Sequence, residues 1–513
     1  MNKLISLFIL FFLVLVGCAP EKKQEEAIPK YAPDYASLAN HNQQPDWFQD
    51  AKLGIYFHWG VYSVPAFGNE WYPRRMHFDD DITYQHHLDT YGHPSAFGYH
   101  DFVPLFKAEN FDAAEWAALF KKAGAKFAGP VAEHHDGYSM WASEITPWNT
   151  EDTGPIRDIL GELEKAIKAE DMKLITTFHH ARNLQRHDSI PTGDRKQAYR
   201  KSHYPFFEGM PPTSDDEKLK YLYGNIPEKQ WLEEVWLGKL KEVIDNYQPD
   251  IMWFDSWLDE IPEAKRKEFA AYYLNEADKL GKEVVIIRKQ DDLPLDVSLN
   301  DLEKSRMNKM GEQSWMTDET ISYGSWCYTD NLKIKPTKDL IHVLVDIVSK
   351  NGVLLLNISP MANGTIPEDQ RTSLLEMGKW LDTNGEAIYG TRPWITFGEG
   401  PTKEPDGHFK NHNAFQKLVY SNKDMRYTFK GNTIYATFFG WPDEKTVVLE
   451  TFADGVLDGD LEVKNISLLG YDGDLSWEKT ANGVEISLPV GIVSDKAIVF
   501  KLEIEGTGTL TSN

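Results

Sequence analysis

From about Asp46 to Trp394, short apolar runs alternate with amphipathic helical stretches, and this alternation constrains the fold more than any other feature. Leu53 to Phe57, Phe127 to Ala132, Leu174 to Phe178, Ile251 to Phe254, Val284 to Ile287 and Gly352 to Ile358 read as buried strands. Between them lie helical patterns such as Ala113 to Ala123 and Trp231 to Asn246. Alternation of this length gives either a closed parallel barrel or an open doubly wound sheet. Polar and aromatic residues follow many of the runs, not one or two. That favours the barrel, whose sites are assembled from the C-terminal ends of several strands.

After Trp394 the pattern changes. Arg426 to Phe429, Thr433 to Phe439, Lys445 to Leu449, Glu462 to Leu469, Gly483 to Leu488 and Ala497 to Ile504 are β-rich. Lys430-Gly431-Asn432 and Asp472-Gly473 supply turns between them, and no long helical period appears. The expected architecture is α/β: a (β/α)8-like TIM barrel over residues 45–394, followed by a C-terminal antiparallel β-sandwich over 395–513.

The first residues read as a processing signal. Lys3 precedes a compact apolar run, Leu4 to Val16, too short for a comfortable membrane span. It ends in Leu15-Val16-Gly17-Cys18, which looks like a bacterial lipobox. The expectation is a lipoprotein signal peptide over 1–18, lipid on Cys18, and a polar tether over 19–44. Ala19 follows the cysteine, which favours anchoring in the outer membrane. With Cys18 lipidated, Cys327 stands alone, so no intrachain disulfide and no zinc site built on cysteine pairs is expected. The net charge is -25, from 54 basic and 79 acidic residues, which argues against nucleic acid as a partner.

Three clusters carry the chemistry. The first is Ile55-Tyr56-Phe57-His58-Trp59-Gly60-Val61-Tyr62, with Asn69-Glu70-Trp71-Tyr72 after it. The second is Glu133-His134-His135-Asp136-Gly137-Tyr138. The third is Ile251-Met252-Trp253-Phe254-Asp255-Ser256-Trp257, a buried strand that ends in a carboxylate among aromatic rings. An acid in such surroundings costs free energy unless it is hydrogen-bonded, paired or used in chemistry. Polar groups for hydroxyls beside ring faces for apolar edges suit a sugar. Neighbouring residues on a strand point to opposite sides, so His134 and His135 can share a ligand only from a loop. No His-Glu-x-x-His spacing occurs, so neither a metal nor any other cofactor is expected.

These segments resemble glycoside hydrolase family 29, the α-L-fucosidases. The resemblance rests on Phe57-His58-Trp59-Gly60-Val61-Tyr62-Ser63-Val64-Pro65, Glu70-Trp71-Tyr72, His134-His135-Asp136-Gly137-Tyr138 and Trp253-Phe254-Asp255. It extends through Ser349 to Pro360, Asn384 to Trp394 and Phe439-Gly440-Trp441-Pro442. It implies a retaining exo-hydrolase of fucosylated glycans or fucose-containing polysaccharides, with two carboxylates about 5 Å apart. By resemblance Asp255 is the nucleophile. His58, His134 and His135 bind fucose hydroxyls, Glu70 and Trp71 line the pocket, and Trp326 packs against the methyl edge. Arg288 is a further pocket residue whose charge would hold Asp255 ionised.

The chain departs from the family pattern in two places. Relatives carry Trp-Glu ahead of a Ser-Trp-Gly-Tyr motif; here Trp315 is followed by Met316, and the later motif is Ser325-Trp326-Cys327-Tyr328. Glu303, after the short run Val297 to Leu302, is therefore the acid/base candidate, with Asp301, Glu312 and Glu319 as rivals. Where relatives show Tyr-Tyr-Ser, this chain has Phe178-His179-His180-Ala181-Arg182, which suits an anionic glycan such as a sulfated one. The missing Trp-Glu also leaves open a non-catalytic glycan-binding lipoprotein. A pocket that selects a methyl only modestly leaves open a related L-sugar such as α-L-galactose.

Overall fold

The computed structural model describes residues 29–185, 202–206, 209–405, 412–491 and 494–511. Eight parallel strands form the first sheet: β1 Leu53–Phe57, β2 Phe127–Glu133, β3 Lys173–Phe178, β4 Ile251–Phe254, β5 Val285–Arg288, β6 Leu299–Asn300, β7 Trp315–Thr320 and β8 Gly352–Ile358. Their order is β6-β5-β4-β3-β2-β1-β8-β7, and a single parallel bridge between Asp301 and Met316 joins the two ends. The sheet is thus a nearly closed barrel. No helix lies in residues 289–298 or 301–314, so β5, β6 and β7 are joined by short irregular links.

Strand alternation divides the core in two. Tyr56, Val131, Ile175, Ile251, Trp253, Val285, Ile287, Leu299, Met316, Val353 and Leu355 belong to one cluster inside the barrel. Met252, Phe254, Ile286, Leu354 and Leu356 face the other way, into the larger cluster shared with the helices. Helix Ala113–Lys122 turns Trp116, Ala117, Leu119 and Phe120 to that layer, and Asp112 caps it by accepting from the N–H groups of Ala114 and Glu115.

A five-stranded antiparallel sheet follows, in the order 392–399, 425–430, 433–438, 498–505, 462–468, with a three-stranded sheet of 446–449, 483–487 and 477–480. Trp394, Tyr427, Val484 and Phe500 belong to the core of these sheets. Arg392–Glu399 pairs with Met425–Lys430, so the second domain begins no later than Arg392 and not after Trp394 as the sequence pattern suggested. A buried ionic cluster links the domains: Arg426 Nε lies 2.6 Å from Asp346 Oδ1, and Lys350 Nζ lies 2.8 Å from the same atom.

The signal peptide and residues 19–28 of the expected tether lie outside the described residues. The rest of that stretch is docked. The Tyr31 N–H donates to Asn275 Oδ1 at 2.9 Å, Leu38 is fully buried, and the helix Tyr35–Leu38 touches helix Glu263–Lys279. Among the described residues no helix is long and apolar enough to cross a membrane.

Candidate active site

The inward-facing row of each strand continues past the strand's end, and there it turns polar. Inside the barrel Ile251 and Trp253 lead to Asp255, Ile175 and Thr177 to His179, and Val285 and Ile287 to Lys289. In the same way Tyr56 leads to His58, Leu299 to Asp301, Met316 to Asp318, and Leu355 to Asn357. These groups converge at the C-terminal mouth of the barrel, where barrel enzymes assemble their chemistry.

Asp255 is the centre of the cluster. Lys289 Nζ donates to its Oδ1 at 2.8 Å, while His135 Nε2 and His179 Nδ1 lie 3.3 and 3.2 Å from its Oδ2. Burial alone would raise the Asp255 carboxyl. The charge of Lys289, then His179 and His135, outweighs burial and holds the acid well below the usual carboxylate range. Lys289 also lies 3.1 Å from Glu303 Oε2 and 3.4 Å from Asp318 Oδ2. Burial opposes its charge, but Asp255, Asp318 and Glu303 raise its pKa well above the ordinary lysine value. Asp255 Oδ1 and Glu303 Oε2, which share this ammonium, lie no more than about 6 Å apart, so the two carboxyl groups can flank one glycosidic bond.

Arg288 does not hold Asp255 as the resemblance implied, because it faces the wrong way. It pairs with Phe254 and Asn300 across the sheet, on the face that points away from the barrel axis. Its Nη1 donates to Gln290 O at 2.5 Å and to Asp291 Oδ1 at 3.0 Å. The cation that holds Asp255 is the next residue, Lys289. A displacement of one position along a strand exchanges the two faces.

The other expected residues are gathered around this centre. The His58 N–H and Nδ1 both lie against Asn357 Oδ1, at 3.0 and 2.8 Å. Trp326 tilts against His58 with ring centroids 5.4 Å apart, and its backbone N–H donates to Glu70 Oε2 at 3.2 Å. Trp71 lies 5.1 Å from His135. β2 ends at Glu133, so His134 and His135 sit in the following loop and both rings reach the pocket. Burial lowers the pKa of His58 and His134 well below the usual imidazole value and brings His135 to about 4. Burial also raises Glu70.

At the rim, the Arg182 guanidinium lies 3.9 Å from the ring centroid of Trp257 and 5.2 Å from that of Trp71. Trp257 holds a left-handed φ of 81°, a strained conformation for so large a side chain. His180 is not part of this wall. It stacks on Trp236 outside the barrel, with Nε2 3.2 Å from Trp236 O.

The Alpha-L-fucosidase family model matches residues 18–386, and the Alpha-L-fucosidase C-terminal domain model matches 420–503. The chain belongs to the α-L-fucosidases of glycoside hydrolase family 29. Tissue alpha-L-fucosidase of Mus musculus is 30% identical over 476 residues, covering 90% of this chain and 91% of the relative. That of Homo sapiens is 29% identical over 498 residues, covering 94% and 92%. The structure of Thermotoga maritima alpha-fucosidase in complex with fucose superposes with a TM-score of 0.69 and 28% identity, covering 92% of this chain and all of the other.

Within this α-L-fucosidase scaffold the four acid/base candidates separate by position. Asp301 is fully buried and accepts from the Asp318 N–H at 2.8 Å; burial and then Asp318 raise its pKa well above the carboxylate range. Glu319 faces away from the axis, with Oε1 2.7 Å from Lys335 Nζ. Glu312 is exposed beside Gly311, whose N–H donates to Lys350 O ahead of β8. Glu303 alone of the four reaches Lys289, and with it the surroundings of Asp255. It stands on a tight turn in which Glu303 and Lys304 have φ of 29° and 50°. Cys327 is buried, and burial pushes its thiol up, away from any thiolate role.

Lys289 and Asp318 are the site residues that motif reading missed, and His179 and Asn357 stood in quoted segments with no role of their own. Strand parity would have found each of them. Among the described residues, two sets of side chains have ligand atoms within 4.8 Å of one another and could hold a metal ion: His58, His134 and His179, and His135, His179 and Asp255.

Proposed function

We propose that this chain, a fucose-releasing glycosidase by its family, removes terminal α-L-fucose by double displacement with retention. The observation that carries the reading is the Asp255–Lys289–Glu303 bridge, with distances of 2.8 and 3.1 Å. Asp255, kept ionised, attacks the anomeric carbon and forms a glycosyl ester as the aglycone oxygen departs. Glu303 gives that oxygen its proton, then takes a proton from the water that cleaves the ester. As Asp255 loses its charge in the ester, Lys289 keeps two carboxylate partners, Glu303 and Asp318.

The neutral imidazoles of His58 and His134 accept and donate hydrogen bonds to ring hydroxyls, and Trp326 covers an apolar edge of the sugar. Release of the aryl group from an aryl α-L-fucoside tests the activity. Asp255→Asn should be inactive. Glu303→Ala should lose about 10²- to 10⁴-fold in kcat on a substrate with a poor leaving group, and on an activated aryl fucoside azide should restore turnover by attacking the ester in place of water. A Glu303→Ala enzyme as fast as wild type would remove Glu303 from the role.

The finer substrate reading is a sulfated fucan or another anionic glycan. It is supported by the Arg182 guanidinium between Trp71 and Trp257 at the rim. A preference for sulfated over unsulfated fucosides that disappears in Arg182→Ala supports it; equal rates in both enzymes contradict it. The same reading makes the protein an exported lipoprotein, held on the outer membrane by lipid on Cys18. Its support is the lipobox Leu15-Val16-Gly17-Cys18. Cys18→Ser should then move the protein from the membrane fraction to the soluble one.

A further inference from the structure

We propose that His58, His134 and His179 form a binding site for a transition-metal dication of the Zn2+ class, within the pocket that takes the sugar. The three rings are 2, 3 and 4% exposed. Their ligand nitrogens lie within 4.8 Å of one another. A tetrahedral Zn2+ with bonds of 2.0–2.1 Å needs nitrogens about 3.4 Å apart, so closure takes side-chain shifts of about 1 Å.

Which nitrogen carries a bare lone pair follows from the neighbours. Asn357 Oδ1 accepts the His58 backbone N–H, and its Nδ2 donates to Trp326 O at 2.7 Å, so the amide orientation is fixed. The His58 Nδ1 beside that oxygen must carry the proton, which leaves Nε2 unprotonated. A carbonyl behind the imidazole is the usual support of a metal-ligating histidine. His179 has a carboxylate behind it instead, with Asp255 Oδ2 3.2 Å from Nδ1. His134 Nδ1 and His179 Nε2 form no hydrogen bond. Such buried, unpaired polar atoms call for a partner.

The ligand set also selects the ion. Imidazole nitrogens without thiolates or several carboxylates suit Zn2+, Cu2+ or Ni2+ and not Mg2+ or Ca2+. The second set, with Asp255 as a ligand, is the poorer one, because Lys289 Nζ already holds Asp255 at 2.8 Å and would repel a dication there. An ion on the three histidines takes the lone pairs that the sugar hydroxyls would use, so Zn2+ acts as a reversible competitive inhibitor.

Calorimetric titration of the chelator-treated full chain with ZnCl2 at neutral pH tests the site with no sugar present. The expected result is one Zn2+ per chain and no heat of binding with MgCl2. His179→Phe and His58→Phe should each weaken the affinity at least tenfold, and His180→Gln, outside the pocket, should not change it. If His179→Phe fails to fold, His179→Tyr serves in its place. Absence of stoichiometric binding, or unchanged affinity in the folded His58 and His179 variants, overturns the proposal. Zn2+ should raise KM for an aryl α-L-fucoside and leave kcat unchanged; a fall in kcat alone would place the ion elsewhere. A chain inactive on fucosides leaves the titration readable, so the metal site and the glycosidase reading fail separately.

Discussion

Lys289 is the residue on which the electrostatics of the pocket turn. Asp255, Glu303 and Asp318 all lie within 3.4 Å of its Nζ. Lys289→Met would leave three carboxylates without their common cation. Breaking a buried pair in this way costs about 3–5 kcal/mol, which denaturant unfolding would detect. The same variant has a signature in pH. In the proposed mechanism Asp255 must be ionised to attack, and Lys289 lowers its pKa. Removing the cation raises that pKa, so the acid limb of the kcat/KM profile should move to higher pH. A limb that stays in place would mean that another group titrates there. At this scale the sequence was readable where a motif carried the residue. The structure brings His58, Glu70, His134, His135 and Asp255 together at the barrel mouth. Lys289 was not readable that way, and His179 was quoted without its role, because both roles come from which way a strand turns the side chain.

At the scale of the element, period-two alternation decides which residues meet. β5 brings Ile287 inward and Arg288 outward, so Lys289 is next inward. Arg288→Gln should therefore change kcat/KM by less than about tenfold, while Lys289→Met should cost about 10²-fold or more, the scale of losing a preorganised charge at a reacting centre. Steady-state kinetics on the two purified variants compares them directly; equal losses would contradict the assignment of faces. Most barrel strands were legible as apolar runs. β7, Trp315–Thr320, was not, because its inward row is Met316, Asp318 and Thr320. A strand that donates polar groups to a site loses the apolar signature by which strands are recognised. The short β6 was visible only as a run ending in an acid, and it leads into the turn that carries Glu303.

At the scale of the whole molecule, the barrel and the second domain share a buried ionic cluster. Burial disfavours the Asp346 charge, but Lys350, Arg426 and Arg306 outweigh it and hold the carboxyl below its usual range. A carboxylate with a depressed folded pKa contributes stability that is complete above its unfolded pKa of about 4 and is lost as pH falls through the folded one. Asp346→Asn should therefore lower thermal stability at neutral pH, with a smaller loss below about pH 3. Differential scanning calorimetry at the two pH values would check this, and equal losses at both would contradict it. The two-domain plan was legible from the change of pattern near Trp394. The docking of residues 29–44 was not, because a polar segment that packs through Tyr31 and Leu38 looks like a solvated linker in composition.

The central claim is that Asp255 attacks the sugar, and trapping the ester tests it most directly. The enzyme would be incubated with a fluorinated fucosyl donor that forms the glycosyl-enzyme faster than water releases it, then digested and sequenced by mass spectrometry. The account predicts one fluorosugar per chain, on the carboxylate of Asp255, and none in Asp255→Asn. A label on Glu303 or on any other acid, or turnover of the donor by Asp255→Asn at the wild-type rate, would contradict it.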